Sequence, residues 1–207
     1  MKIALLVVTV LVMFVNWWSR WRNDDRVEQW AKPLATIGVV GLALVSGAPT
    51  AQIVVASIAL TLCLGGDVAL MPAIDKFVVG LASFLLGHLV FIILFIQYGL
   101  TEPALAGVAV ILAGVLVATT GLTIVRAAAV QDRALQLPVL AYLLVISVMA
   151  VFGWATANPW VIAGSALFVL SDSLLGWRQF VRSHDWMAAA VMVTYHGAIA
   201  SLALSLW

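Results

Sequence analysis

Eight stretches of roughly twenty residues, nearly free of charge, follow one another at about 2–18, 31–47, 50–71, 76–98, 103–125, 136–156, 158–177 and 186–207. A helix crossing about 30 Å of hydrocarbon needs a run of about that length. In lipid every backbone N–H and C=O must be paired inside the segment, so such runs become helices. The expectation is an all-α polytopic membrane protein with eight transmembrane helices, forming one integral membrane domain over 1–207. The breaks fall at turn chemistry or charge: RWRNDDRVEQ, SGAPT, PAID, GLTEP, RAAAVQDR, TANP and RQFVRSHD.

Composition agrees, since 65% of residues are hydrophobic and only 9% charged, with a mean hydropathy of +1.16, above the soluble range. A net charge of +1 with scattered Lys and Arg excludes nucleic acid as a partner, which needs a concentrated basic surface. The opening MKIALLVVTVLVMFVNWWSRW is like a signal peptide, but Asn16, Trp17 and Trp18 stand where a small-residue cleavage site would be. It is read as an uncleaved first span.

Charge bias sets the expected orientation. Arg20, Arg22, Arg26, Lys32, Lys76, Arg126, Arg133, Arg178 and Arg182 fall on one side, and Lys2 alone on the other. Both termini are therefore expected to be non-cytoplasmic. The tryptophans lie near span ends and read as an aromatic belt. Cys63, the only cysteine, sits in an apolar run and reads as a buried, inert thiol.

The halves 1–100 and 101–207 are expected to be a parallel 4+4 repeat. Pro33 precedes Asp67 by 34 residues and Pro138 precedes Asp172 by 34. His88 follows the first acid by 21 residues and His196 the second by 24. Each proline is expected in a first helical turn, where its missing N–H is harmless.

Asp67 and Asp172 are the two acids inside the spans. Burying a charged acid in the bilayer costs at least ~2.5 to 3.5 kcal/mol on insertion scales, so both should face a cavity or a partner. At 1.5 Å per residue they lie about 6 and 8 Å inside the charged boundary, and His88 and His196 about 18 and 15 Å inside. The helix C-terminus and low polarity both disfavour a carboxylate, and an acid that keeps its proton is what general acid catalysis needs. Two such groups close together would share a proton. Gly65 and Gly66 would let a neighbouring helix or a lipid chain approach the first acid.

Other chemistry is weaker. The depths separate the histidines from the acids by roughly 7 to 12 Å, so no metal is expected, and no cofactor. Ser171, Asp172 and His196 make no serine triad, because sequential helical residues point apart and no GxSxG elbow occurs. No mid-span lysine offers a retinal Schiff base.

AKPLAT, LGGDVALM, FVVGLASFLLGHLVFIILF and GSALFVLSDSLLGWRQF, with a tyrosine in the last span, occur in an order that resembles the YhhN-like lysoplasmalogenase family. The blocks cover most of the chain. The resemblance implies hydrolysis of the vinyl ether bond of lysoplasmalogen to a fatty aldehyde and glycerophosphoethanolamine or glycerophosphocholine. Carried over by motif, the matching positions are Lys32, Pro33, Asp67, His88, Asp172 and Tyr195. Ile199 departs from the family pattern, which has Gln or His there, and His196 on the same helix is the substitute. On this reading one aspartate donates a proton to the alkene, the other orients water, and His88 orients a carboxylate or relays protons. Lys32, Ser171, Arg178, Tyr195 and His196 bind substrate, with Lys32 first, and Arg178 and Arg182 after it, attracting the substrate phosphate. The lysophospholipid chain would lie between spans among membrane lipids, with its headgroup at the cytoplasmic interface, and the membrane expected is a bacterial inner membrane. A proton-coupled transporter with an Asp/His relay, and a scaffold using the acids as helix glue, are the alternatives.

Overall fold

A computed structural model describes residues 2–207. Among these, eight long helices account for nearly all of the chain: α1 Lys2–Arg22, α2 Asp25–Leu44, α3 Thr50–Ala69, α4 Phe77–Tyr98, α5 Pro103–Gln131, α6 Gln136–Ala155, α7 Pro159–Phe180 and α8 Asp185–Leu204. A π-helical turn, Val117–Gly121, interrupts α5, and a 3-10 turn, Arg133–Leu135, leads into α6. All but α2 are long and apolar enough to cross a membrane. α2 has the length, but its first turns carry Asp25, Arg26, Glu28 and Lys32.

Two charged stretches expected as loops, RWRNDDRVEQ and RAAAVQDR, are largely helix, and RQFVRSHD is helical at its start. α1 continues to Arg22 and α2 starts at Asp25, so RWRNDDRVEQ holds a break of two residues. Asn23 supplies it with a left-handed backbone (φ 54°), and the Asp24 carboxylate accepts from the N–H groups of Arg26 and Val27. Asp25 and Glu28 then sit in the first turn, where the helix dipole favours anions. α5 likewise runs on to Gln131 and α7 to Phe180. Apolar run length stops at the first charge, whereas backbone hydrogen bonding continues until a cap ends it.

The expectation for Pro33 is corrected by the same extension. It lies inside α2, not in its first turn, and it offers no N–H to the Gln29 carbonyl. Gln29, whose carbonyl lacks that helical partner, is exposed near the charged end. Pro138 does fall in the first turn of α6.

Both termini lie at one end of the bundle. Lys2 Nζ stands 5.0 Å over the Trp207 ring and donates to the Ser46 carbonyl at 2.6 Å. Trp207 Nε1 donates to the Leu42 carbonyl at 3.1 Å. The opposite end gathers the α1–α2 break, the ends of α3 and α7, and their charged residues.

α3 packs closely on α4, α7 on α8, and α1 on α2, while α4 also packs on α6. α8 is the most enclosed helix, lying against α1, α2 and α7. Its small residues, among them Ala188, Ala189, Ala198 and Ala203, permit that depth. The glycine pair beside Asp67 serves helix approach: a Cβ on Gly66 would collide with the Phe84 ring, so α4 fills the space that a lipid chain was also expected to use. Six tryptophans, including Trp18, Trp21 and Trp186, are exposed as a belt requires. Trp17 instead turns inward and donates to His196.

Candidate active site

Asp67 sits in the last turns of α3 and is fully buried. Its Oδ2 accepts from Thr36 Oγ1 at 2.6 Å and from the Tyr195 hydroxyl at 2.7 Å. Lys32 Nζ faces Oδ1 at 3.5 Å and is itself buried. Lys32 and Thr36 are one turn apart on α2 and so present adjacent groups to one carboxylate. The acid that was expensive to bury therefore has a cation and two hydroxyls from two other helices.

Asp172, on α7, is half-buried. It accepts a short hydrogen bond from the Tyr142 hydroxyl on α6. Both acids line one cavity of about 370 Å³ at the charged end, with Lys32, Ser171, Arg178 and Tyr195 also in its wall. At the rim Arg20 pairs with Asp25 at 3.1 Å and with Glu28. Arg178 has no carboxylate in ion-pair distance among the described residues. Against the far side of Asp172 lies a second, apolar slot whose walls include Leu81, Phe84, Ile124, Tyr142 and Leu143. Leu70, Phe84, Asp172 and Leu175 belong to both spaces.

The expected site residues thus divide. Asp67, Asp172, Lys32, Ser171, Arg178 and Tyr195 meet at one cavity. Ser171 gives its hydroxyl to the Val191 carbonyl at 3.2 Å, so it joins the wall of the cavity while tying α7 to α8. His88 is buried behind the wall, its ring 5.4 Å from that of Tyr142 and 4.8 Å from that of Phe168. It touches the partner of Asp172 and neither carboxylate, and neither ring nitrogen has a hydrogen-bond partner. His196 faces α1, where its Nδ1 accepts from Trp17 Nε1 at 2.9 Å. Arg182 is exposed beyond the end of α7. Cys63 is a buried free thiol.

Thr36, Tyr142 and Glu28 escaped the sequence reading, and Arg20 was read only as one of the basic residues that set orientation. A signal for the first two existed, since a hydroxyl follows each proline by one turn: Thr36 after Pro33 and Tyr142 after Pro138. Among the described residues no three His, Cys, Asp or Glu side chains gather as a metal-holding group.

The model of the YhhN family matches residues 27–206. No curated protein and no solved structure matches the chain.

Proposed function

The chain belongs to the YhhN family, and from that premise we propose that it hydrolyses the vinyl ether bond of a lysoplasmalogen. The observation that carries the reading is the position of Asp172 on the seam between the polar cavity and the apolar slot. In a lysoplasmalogen the vinyl ether links a phosphate-bearing glycerol to a hydrocarbon chain, so a headgroup in the cavity and a chain in the slot bring that bond to Asp172.

The donors around each acid divide the roles. Asp67 faces two hydroxyls and an ammonium, an environment that suits a carboxylate. Asp172 has one hydroxyl on Oδ2 and apolar neighbours on its slot side, which suits the acid that gives up a proton. Protonation of the outer alkene carbon converts the alkene π bond into a C–H bond and leaves an oxocarbenium ion. Water oriented toward Asp67 adds to the carbon bearing oxygen and gives its proton to Asp67. The hemiacetal then breaks its C–O bond to the glycerol oxygen, which takes up the hemiacetal hydroxyl proton, giving aldehyde and alcohol, and the proton held by Asp67 passes back across the cavity to Asp172. Acid and base on two sides of an oxocarbenium-like centre is the arrangement of glycoside hydrolysis. Arg178 is the cation for the substrate phosphate, because Lys32 is engaged by Asp67. His88 acts through Tyr142, holding the ring whose hydroxyl meets Asp172.

A cytoplasmic charged end and a parallel duplication belong to the same proposal. The first is supported by the nine basic residues on that side. The second is supported by the tight α3–α4 and α7–α8 pairs and by a hydroxyl reaching each acid from the preceding helix.

The test is incubation of purified protein with a lysoplasmalogen and with its saturated-ether analogue. Aldehyde is expected from the first substrate alone; none from either would overturn the proposal.

A further inference from the structure

We infer that a small site for internal water lies between α1, α2 and α8, held by Asn16, His196 and Lys32 beside Asp67, and that it stores the water consumed in hydrolysis. The storage role rests on the proposed reaction. The site itself follows from the packing of three helices and from the polar groups they enclose.

α1 and α2 run antiparallel, and their register is fixed where Gly38 lies so close to Thr9 that an added Cβ would collide with its side chain. Two turns further along α1 stands Asn16, and two turns back along α2 stands Ala31, so these two face each other as Thr9 and Gly38 do. Asn16, Ala31 and Ala35 are all fully buried, and the short alanines leave Asn16 beside Lys32, the next residue on α2. From α1, Trp17 reaches across to α8 and donates to His196 Nδ1 at 2.9 Å. α2 and α8 also pack on each other, and Lys32 lies near enough for its charge to bear on the His196 ring. Asn16, Lys32 and His196 therefore converge from three helices. Asn16 and Trp17 precede the residues that the family model matches, so α1 contributes groups outside the family's shared segment.

The unpaired groups identify the ligand. An indole N–H can only donate, so His196 Nδ1 is the acceptor and the ring proton sits on Nε2. That Nε2 and both polar atoms of the Asn16 amide are buried with no hydrogen-bond partner among the described residues. Asp67 Oδ1 is in the same condition, with Lys32 Nζ at 3.5 Å. Buried polar atoms are almost always paired, so these call for a ligand. The donors are the imidazole N–H, the amide NH₂ and the Lys32 ammonium; the acceptors are Asn16 Oδ1 and Asp67 Oδ1. N–H bonds outnumber oxygen lone pairs, so no rotation of these side chains satisfies them all. The ligand must be small and accept hydrogen bonds, which excludes a cation, and an anion would set a second negative group against Asp67. Water meets each condition. A lysolipid seated in the cavity closes the approach from the charged end, so the water that adds to the oxocarbenium ion is one already inside, next to the base that orients it.

The experiment exposes the full protein in lipid nanodiscs to a brief X-ray pulse, which turns bound water into hydroxyl radicals that oxidise the side chains beside it; mass spectrometry maps the oxidised residues. Oxidation is expected at His196 and at Met13, a buried residue one turn before Asn16 on the same face. Met192, in the cavity wall, should oxidise as well, and Met149, in the apolar core, should not. Asn16→Leu should abolish oxidation of Met13 and His196 and leave that of Met192, whereas Asn16→Ser, which keeps a polar group, should retain all three. Met13 and His196 left unoxidised in the unaltered protein would overturn the site, whether or not either variant folds. In the aldehyde assay Asn16→Leu should lower kcat by roughly 10- to 100-fold with KM unchanged, the loss expected of a misplaced reactant. Full kcat in a variant that has lost Met13 oxidation would overturn the storage role. Oxidised Met13 without aldehyde release from the unaltered protein would sink the hydrolase and leave the water site standing.

Discussion

The two aspartates share a spacing and have different surroundings, and that difference sets their expected responses to mutation. Asp172→Asn removes the proton donor, and kcat should fall by about 10²- to 10⁴-fold, the usual contribution of a general acid. Its fold should survive, because the amide still accepts from Tyr142; aldehyde release and a thermal melt in detergent check the two halves of the statement. Lys32→Met leaves Asp67 buried without its cation, which should destabilise the protein by about 3 to 5 kcal/mol. Adding Asp67→Asn should restore much of that stability without restoring turnover. A double mutant no more stable than Lys32→Met would show that Lys32 does not compensate the buried charge. The aspartates were legible in the sequence because a buried acid needs a reason. Tyr142 was not, because a tyrosine in an apolar helix reads equally well as packing until its partner is known.

At the scale of the helix, the closest approach beside the site is made by Gly66 under the Phe84 ring. Gly66→Val should destabilise by about 1 to 3 kcal/mol through overpacking, and Phe84→Leu in the same chain should recover part of it. A melt of Gly66→Val unchanged from the unaltered protein would contradict the α3–α4 packing. Helix number and order were readable from apolar run length, since lipid permits no other backbone solution at that length. Helix ends were not readable at the charged end. The α1–α2 break shrank to Asn23 and Asp24 because side-chain capping, not hydrophobicity, decides where a helix stops. The same shift placed Pro33 inside α2 and carried Lys32 and Thr36 together to Asp67.

For the molecule as a whole, the Lys2–Trp207 contact places both termini at one end and the charged cavity at the other. With the charged end cytoplasmic, alkaline phosphatase fused after Trp207 in a bacterial host should be active, and fused after Gln131 it should be inactive; the reverse pattern would invert the orientation. The sequence by itself determined an all-helical chain built to span a membrane and the two acids that cannot face lipid, because both follow from the high free energy of unpaired polar groups in hydrocarbon, and its ordered motifs determined the family. Only the tertiary structure decided which groups meet those acids. His88 and His196 occupy similar offsets from Asp67 and Asp172, yet one lies among aromatic rings and the other on Trp17 of α1. Their surroundings depend on which helix packs across from each, and contact between helices distant in the chain leaves no period in the sequence. The seam at Asp172 has the same origin, since it is made by residues from the end of α3, from α4 and from α7 that become neighbours only once the bundle has closed.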